Sequence, residues 1–185
     1  MSNVSISGKP SAAAESRKDS QTVTPQGEPI VQKISGVVTD HRPLFEDERG
    51  ELQEIYNPAW GLHPDPLVYA YFVGIRPGQV EGWVVHRLQD DRLFMIRGVV
   101  RVALFDDRSE SPTYGMLNVF VITERKRGIL IIPRGVFHAL KNIGNDDAHF
   151  MNLPTRAYNH KDPDKYRLPL KNDFIPFAFD DGPAQ

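Results

Sequence analysis

The chain of 185 residues contains no cysteine. This absence excludes disulfide bonds, thiolate zinc sites, iron–sulfur clusters and a cysteine nucleophile. Any catalysis must therefore rest on histidine, carboxylate, tyrosine, lysine or arginine side chains.

The chain also lacks a long hydrophobic run and an excess of charge of one sign. No apolar stretch approaches the ~20 residues needed to cross a bilayer, and the first residues resemble neither a signal peptide nor a transit peptide. With 22 basic and 24 acidic residues, the formal net charge is -2, so no overall field attracts nucleic acid or an anionic membrane. The sequence predicts a cytoplasmic protein with no nucleic-acid partner and no membrane partner.

Residues 1–33 contain no aromatic side chain and are rich in Ser, Thr, Gln, Pro and Gly. A segment of this composition cannot bury enough apolar surface to offset the conformational entropy lost on ordering. We expect residues 1–33 to form a disordered tail and residues 34–185 to form one domain.

The remaining apolar segments are short, rich in β-branched and aromatic residues, and separated by Gly, Pro and Asp. This pattern is typical of consecutive β-strands, although a single turn of helix is expected at residues 163–166. Since an open sheet of about ten strands would expose its edges, the sequence predicts an all-β domain closed as a barrel or a double-sheet jelly roll. The predicted strands are residues 36–39, 51–56, 67–73, 82–87, 92–96, 99–105, 117–122, 128–132, 137–142 and 149–153.

One segment carries most of the chemical information. Between Gly128 and Asn142, an apolar strand leads through the turn Pro133-Arg-Gly135 to His138, which we expect to face the barrel interior. The order Gly, Pro, Gly, His, Asn resembles the second sequence motif of the cupins.

The first cupin motif is only partly present upstream. Gly82, His86 and Gly98 keep their places, but Leu88 stands where a second histidine belongs, and Arg92 lies near the position of the acid. A divalent ion needs three or four neutral or anionic ligands, and a guanidinium would repel it, so we expect no catalytic metal. Two histidines, a cation and an acid instead suit removal of a proton from a carbon next to a carbonyl.

Further segments occur in an order typical of one family. They are residues 47–54 (Asp-Glu-Arg-Gly-Glu-Leu-Gln-Glu), 100–108 (ending Phe-Asp-Asp-Arg), 111–115 (Ser-Pro-Thr-Tyr-Gly), 132–138 and 172–177 (Asn-Asp-Phe-Ile-Pro-Phe). From about residue 37 to residue 179, the chain resembles the dTDP-4-dehydrorhamnose 3,5-epimerase family of cupins. The resemblance implies a cupin-type double-stranded β-helix and a dTDP-sugar substrate.

The resemblance also implies roles for individual residues. His86 matches the catalytic base, and Asp173 matches the acid that orients this base and stabilises its imidazolium. Arg92 stands where the family has a lysine near the keto oxygen of the sugar, and His138 matches a second histidine near the same group. Catalysis would need no cofactor.

Arg49 and Glu54 match family residues that contact the nucleotide, often in a neighbouring subunit. Segment 47–54 and the aromatic stretch 69–72 suit an exchange of β-structure across a two-fold axis, which would also cover edge strands. The sequence therefore predicts a homodimer.

Several positions depart from the family pattern. The general-acid tyrosine of the family aligns with Asn152, and an amide cannot deliver a proton as a phenol can. Trp83 replaces an arginine three residues before the base, and Leu88 replaces a glutamine two residues after it. Tyr158 matches a second family tyrosine, and we expect Asn152 and Tyr158 to contact the substrate.

Three functions remain open. The first is an epimerase of a dTDP-4-keto-6-deoxy sugar in deoxysugar or polysaccharide biosynthesis. The second is a family member that binds the sugar nucleotide but is a 3-epimerase only, a ketoisomerase or a binding protein, which the asparagine at position 152 favours. The third is a metal-dependent cupin oxygenase, which the small number of ligands disfavours.

Overall fold

The computed structural model describes residues 16–26 and 30–179. The chain divides into two units, Met1–Gln32 and Lys33–Gln185. In the first unit, residues 16–26 and 30–32 form no helix and no strand longer than a single bridge at Val23. Much of the predicted tail, residues 1–15 and 27–29, lies outside the described residues. We propose that residues 1–33 are not needed for folding of the second unit.

The described part of the second unit is built from β-strands and two 3-10 helices, Pro58–Trp60 and Glu124–Lys126. The strands are β1 (Val38–Asp40), β2 (Leu44–Asp47), β3 (Gly50–Gln53), β4 (Tyr71–Ile75), β5 (Val80–Val85), β6 (Asp91–Arg97), β7 (Val99–Asp106), β8 (Leu117–Thr123), β9 (Ile129–Ile132), β10 (Val136–Asn142), β11 (Ala148–Asn152) and β12 (Tyr166–Arg167). None of the helices formed by the described residues is long and apolar enough to cross a membrane.

The strands form two five-stranded antiparallel sheets and a separate hairpin. The first sheet has the order β1-β9-β6-β11-β4, the second has the order β12-β5-β10-β7-β8, and β2 pairs with β3. The all-β, double-sheet prediction is confirmed, and each of the ten predicted strands overlaps an observed one. The predicted helical turn at 163–166 is wrong, because this stretch leads directly into β12, which pairs with β5.

The main core lies between the two sheets. Alternate residues of β6 and β9 meet alternate residues of β7 and β10 there, among them Leu93, Leu104, Ile132 and Leu140, all nearly inaccessible to water. Burial of each such side chain stabilises the fold by about 1.5–3 kcal/mol relative to exposure. This packing fixes which face of each strand points inward.

The outer face of each sheet is also covered. On the first sheet, Phe94 and Ile129 pack with Leu153 and with the segment that contains Tyr56. On the second sheet, Trp83 is fully buried and meets Phe177 with ring centroids 6.4 Å apart. The closing segment of the chain is therefore a cover over this sheet, and Trp83 contributes packing at the position where the family has an arginine.

The segment Asp106 to Thr113 forms a polar clasp at the end of β7. The Asp106 carboxylate is fully buried and accepts hydrogen bonds from Arg108 Nε at 2.7 Å, Ser111 Oγ at 2.6 Å and Thr113 Oγ1 at 2.6 Å. These donors hold the pKa of Asp106 well below its usual range, against the effect of burial. Arg108 and Thr113 also bind the carbonyl and the amide of Ser35, so the clasp holds the start of the folded unit.

A β-bulge shapes the second sheet next to the cavity between the sheets. His138 of β10 pairs with Val84 of β5, but Leu140, two residues later, pairs with Glu81, three residues earlier. The extra residue in β5 changes the phase of the pleat, so Glu81 and Val84 face the same cavity although they are three residues apart.

Candidate active site

A cavity of about 200 Å³ lies between the two sheets of the second unit. Both sheets contribute to its walls, and it contains polar groups among apolar ones. The lining residues are Tyr71, Val73, Glu81, Val84, His86, Asp91, Leu93, His138, Leu140, Phe150, Asn152 and Lys165. The structure thus brings together three of the residues predicted from sequence, His86, His138 and Asn152.

His86 immediately follows β5, and its ring is held in one orientation. Its Nδ1 atom hydrogen-bonds the backbone carbonyl of Asp164. Because a carbonyl only accepts, Nδ1 carries the proton, and Nε2 is the atom that is free to gain or lose one. The Asp164 carboxylate accepts hydrogen bonds from the backbone N–H groups of residues 87–89, so Asp164 also fixes the turn that follows His86.

Asp91 lies between the two histidines. Its Oδ2 atom is 3.3 Å from His86 Nε2 and 3.5 Å from His138 Nε2, and the two rings have centroids 5.5 Å apart. Its other oxygen, Oδ1, accepts a hydrogen bond of 3.0 Å from Gln89 Nε2. The buried carboxylate therefore has a permanent donor in Gln89, and His86 Nε2 donates to it when the ring is protonated.

The three groups shift each other's pKa values in different directions. Burial acts to raise the pKa of Asp91, but hydrogen bonding from His86 and the charge of the histidines lower it to about 2. Burial acts to lower the pKa of His86, yet the hydrogen bond and charge of Asp91 raise it above its ordinary value. Burial dominates at His138 and lowers its pKa to about 4. At neutral pH, His138 is neutral, and His86 is the more basic of the two.

The acid predicted to pair with His86 is a different residue in the structure. Asp173 is exposed, and no hydrogen bond or ion pair joins it to His86 within the described part of the chain. Its neighbour Asn172 organises the local turn by accepting from the N–H groups of Phe174 and Ile175. The carboxylate that faces His86 belongs to Asp91.

Arg92 does not face the cavity, contrary to the sequence-based expectation. Successive residues of a strand point to opposite faces of the sheet, so Asp91 points inward and Arg92 points outward. The guanidinium is completely buried against the segment that covers the outer face, with Cζ 4.9 Å from the ring centroid of Tyr56. It donates to the Tyr56 hydroxyl and to the carbonyls of Asp65, Pro66, Leu153 and Pro154.

A cation is nevertheless present in the cavity wall. Lys165 precedes β12, lines the cavity and forms an ion pair of 3.1 Å with Glu81. Lys165 was not predicted from the sequence, because the segment that carries it shows no strand pattern.

Asn152 lies in the first sheet, directly opposite Tyr71 in the register of β11 and β4. Its Nδ2 atom donates a hydrogen bond of 2.8 Å to the Tyr71 hydroxyl oxygen. Burial and the nearby charge of Asp91 raise the pKa of Tyr71 to about 12. The aromatic stretch 69–72 is predicted from sequence to serve packing or a subunit interface, but the pleat of β4 turns Tyr71 toward the cavity and leaves Phe72 exposed on the other side.

The other predicted contact residues lie away from this cavity. Arg49 is exposed in the β2–β3 hairpin and pairs with Asp47 through a contact of 2.5 Å. Glu54 follows the hairpin and is exposed. Tyr158 is exposed and stacks edge-on with His160, with ring centroids 4.9 Å apart.

The feature predicted to prevent metal binding, an arginine side chain in the cavity next to the histidines, is not found among the residues that line it. His86, Asp91 and His138 place their ligand atoms within 4.8 Å of one another, and the Arg92 guanidinium that was expected to repel an ion points elsewhere. Two histidines and one carboxylate match a known ligand set for divalent iron. Asp91 also pairs with both histidines directly, so the cluster is satisfied by its own contacts. The absence of a catalytic metal stays a prediction.

Comparison with known proteins identifies relatives of this chain. The family model for dTDP-4-dehydrorhamnose 3,5-epimerase matches residues 31–172. A probable low-salt glycan biosynthesis epimerase of Haloferax volcanii, Agl13, is 35% identical over 124 residues, which are 66% of this chain and 80% of that protein. The spore coat polysaccharide biosynthesis protein SpsL of Bacillus subtilis is 33% identical over 144 residues, which are 78% of this chain and 95% of that protein.

Solved structures agree on the fold. The dTDP sugar isomerase of Desulfovibrio desulfuricans superposes with a TM-score of 0.72 at 23% sequence identity, over 78% of this chain and 91% of that one. The two packed sheets are thus those of the cupin-type jelly roll. The chain belongs to the dTDP-4-dehydrorhamnose 3,5-epimerase family.

Proposed function

We propose that this protein is an epimerase of a dTDP-4-keto-6-deoxy sugar in deoxysugar or polysaccharide biosynthesis, working in the cytoplasm without a cofactor. The observation that carries the proposal is the pairing of His86 with Asp91 at the wall of the cavity. A histidine whose Nδ1 is fixed by a carbonyl and whose Nε2 lies beside a buried carboxylate is suited to take a proton from carbon.

In the proposed first step, His86 Nε2 removes the proton from a carbon next to the C4 ketone. The resulting imidazolium is stabilised by the Asp91 carboxylate 3.3 Å away. His138 lies on the other side of that carboxylate, with its Nε2 atom 3.5 Å from Asp91 Oδ2 and its Nδ1 atom hydrogen-bonded to the carbonyl of Val136.

The enolate formed in this step needs a positive partner for its oxygen. Arg92 cannot supply one, because its guanidinium is buried on the outer face of the sheet. Lys165 is the cation that lines the cavity, and we assign it this electrostatic role in place of Arg92.

Incubation with dTDP-4-keto-6-deoxyglucose in heavy water tests the proposal. We expect deuterium at both C3 and C5, together with formation of the epimer. Deuterium at C3 alone would favour the 3-epimerase, and migration of the keto group would favour the ketoisomerase. Turnover that requires added iron would favour the oxygenase, and no uptake at all would contradict a base at His86.

The pH dependence of deuterium uptake should depend on Asp91. Uptake needs neutral His86, so in the wild type it should rise with pH through a His86 pKa that Asp91 raises above the ordinary value for histidine. Asp91→Asn removes the charge that raises this pKa and leaves burial, which lowers it, so the rising limb should move to lower pH. The maximal rate should fall as well, because the imidazolium loses its partner.

Measuring the rate of deuterium uptake at fixed pH values from pH 5 to pH 9 gives the position of the rising limb of the pH profile. Asp107→Asn is the matched control, because Asp107 is an exposed aspartate that does not line the cavity. If the rising limb of the pH profile were unchanged in Asp91→Asn, Asp91 would not be the partner of the His86 base.

We also propose that the protein is a homodimer. Phe45 and Leu52 face each other across the β2–β3 hairpin and are 61% and 63% exposed, and Phe72 on the edge strand β4 is 60% exposed. Exposed apolar groups on a hairpin and on an edge strand favour burial against a second copy. Arg49 and Glu54 lie in or beside the same hairpin, where a partner's nucleotide would meet them.

Light scattering at micromolar concentration should therefore give twice the chain mass of 20.9 kDa. The double variant Phe45→Ser with Leu52→Ser should shift the population toward the monomer, whereas Tyr114→Ser, a similarly exposed position, should not. A monomeric wild type would refute the dimer.

A further inference from the structure

We propose that the Tyr71 hydroxyl delivers the second proton of the epimerisation, to the face of the substrate carbon opposite His86. The inference rests on the proposed function. It adds a proton donor, which the family alignment does not provide because Asn152 stands at the position of the general-acid tyrosine.

Tyr71 and His86 belong to opposite walls of the cavity. Tyr71 is on β4 of the first sheet, and His86 follows β5 of the second sheet. Inversion at a carbon requires that one group remove a proton from one face and that another group supply a proton to the other face. A cavity between two sheets, with one titratable group on each wall, provides that arrangement.

The hydrogen bond from Asn152 leaves the Tyr71 proton available. The hydroxyl oxygen accepts from Asn152 Nδ2 at 2.8 Å, and no acceptor for the hydroxyl proton occurs among residues 16–26 and 30–179. Asn152 is itself held in place, since its Oδ1 accepts from the backbone N–H of Arg92 at 3.3 Å. The asparagine therefore positions the phenol and stabilises the phenolate that remains after proton transfer.

The protons balance over one turnover. The proton removed from carbon stays on His86 Nε2, and the Tyr71 O–H bond breaks as the new C–H bond forms. This leaves a phenolate and an imidazolium, which return to their starting forms by exchange with water. Tyr71 is 36% exposed and lines a partly open cavity, which gives water a route for this exchange. Its raised pKa keeps the phenol protonated at neutral pH until the enolate forms.

The test compares Tyr71→Phe with the wild type on dTDP-4-keto-6-deoxyglucose in heavy water. Epimer formation should fall about 100-fold, while deuterium uptake at the same carbon stays within a few-fold, because His86 can return deuterium to the face it attacked. Asn152→Ala should lower epimer formation at least about 10-fold and lower uptake by a smaller factor, since Asn152 also hydrogen-bonds Asp91. Tyr69→Phe, whose ring centroid lies 5.6 Å from that of Tyr71, is the matched control and should change neither quantity.

Each outcome has a defined meaning. Wild-type epimer formation in Tyr71→Phe overturns the inference and leaves the proposed function intact. Equal loss of uptake and epimer formation also overturns it, because Tyr71 would then serve binding or folding. A lowered thermal unfolding midpoint of the variant would indicate folding, and an unchanged midpoint would indicate binding. A wild type that shows neither uptake nor epimer formation overturns the proposed function, and the inference with it.

Discussion

Replacing His86 with asparagine is expected to lower deuterium uptake by the substrate by ~10²- to 10⁴-fold, which is the usual loss when a positioned base is removed. The expectation follows from the cavity itself. His138 is the other histidine in its wall, and burial lowers its pKa to about 4, which makes it a weak base. The measurement is the rate of deuterium incorporation, followed by NMR in heavy water.

Asparagine at position 86 retains an amide that can donate to the Asp164 carbonyl, so the local structure should persist. His160→Asn is the control, because His160 is an exposed histidine that stacks on Tyr158 away from the cavity. Uptake at the wild-type rate in His86→Asn would remove His86 from the mechanism.

The second large effect is expected on stability. Arg92→Met should lower the free energy of unfolding by about 3–5 kcal/mol, because several buried carbonyls lose their donor at once. Arg92→Lys should cost less, since an ammonium still serves some of these acceptors. Arg49→Met, at an exposed arginine, should change the free energy by about 0.5 kcal/mol or less.

Urea unfolding measures these differences, and deuterium uptake per folded molecule separates stability from catalysis. Uptake by Arg92→Lys should stay close to that of the wild type. Unchanged stability combined with lost uptake would place the Arg92 guanidinium at the substrate and contradict its position in the structure.

The strands could be predicted from sequence because their apolar residues alternate or cluster over four or more positions. β2 was missed because its Leu-Phe-Glu-Asp sequence is exposed throughout, and β12 was missed because two residues carry no period. Glycines and prolines correctly marked the boundaries between strands. The fold class was therefore accessible without coordinates.

The partner of the base was not accessible in the same way. Asp90, Asp91 and Arg92 are consecutive, and a strand sends neighbours to opposite faces. Which of them enters the cavity depends on the register with β9, where Asp91 pairs with Ile132, and a shift by one residue would exchange the roles. Alignment to the family assigned the cation of the site to Arg92 and the acid to Asp173. The alternation of side chains along β6 instead places the Asp91 carboxylate in the cavity.

Tyr71 illustrates a related limit. Three of the four residues in the run Tyr69-Ala-Tyr-Phe72 are aromatic, so composition indicates packing or an interface. Only the pairing of Tyr71 with Asn152 across β4 and β11 shows that one ring of the run faces the cavity. A pair formed between strands 81 residues apart leaves no signal in a local pattern.

The polar clasp around Asp106 bears on how such chains are classified. Its residues, the Asp-Asp-Arg and Ser-Pro-Thr stretches, are among the most recognisable parts of the sequence, yet they bind Ser35 and each other and do not line the cavity. Selection for folding would maintain them whatever reaction the cavity performs. Similarity in this stretch therefore groups proteins by ancestry, and substrate differences within such a group have to be sought in the few side chains at the cavity wall, such as Tyr71, Asn152 and Lys165.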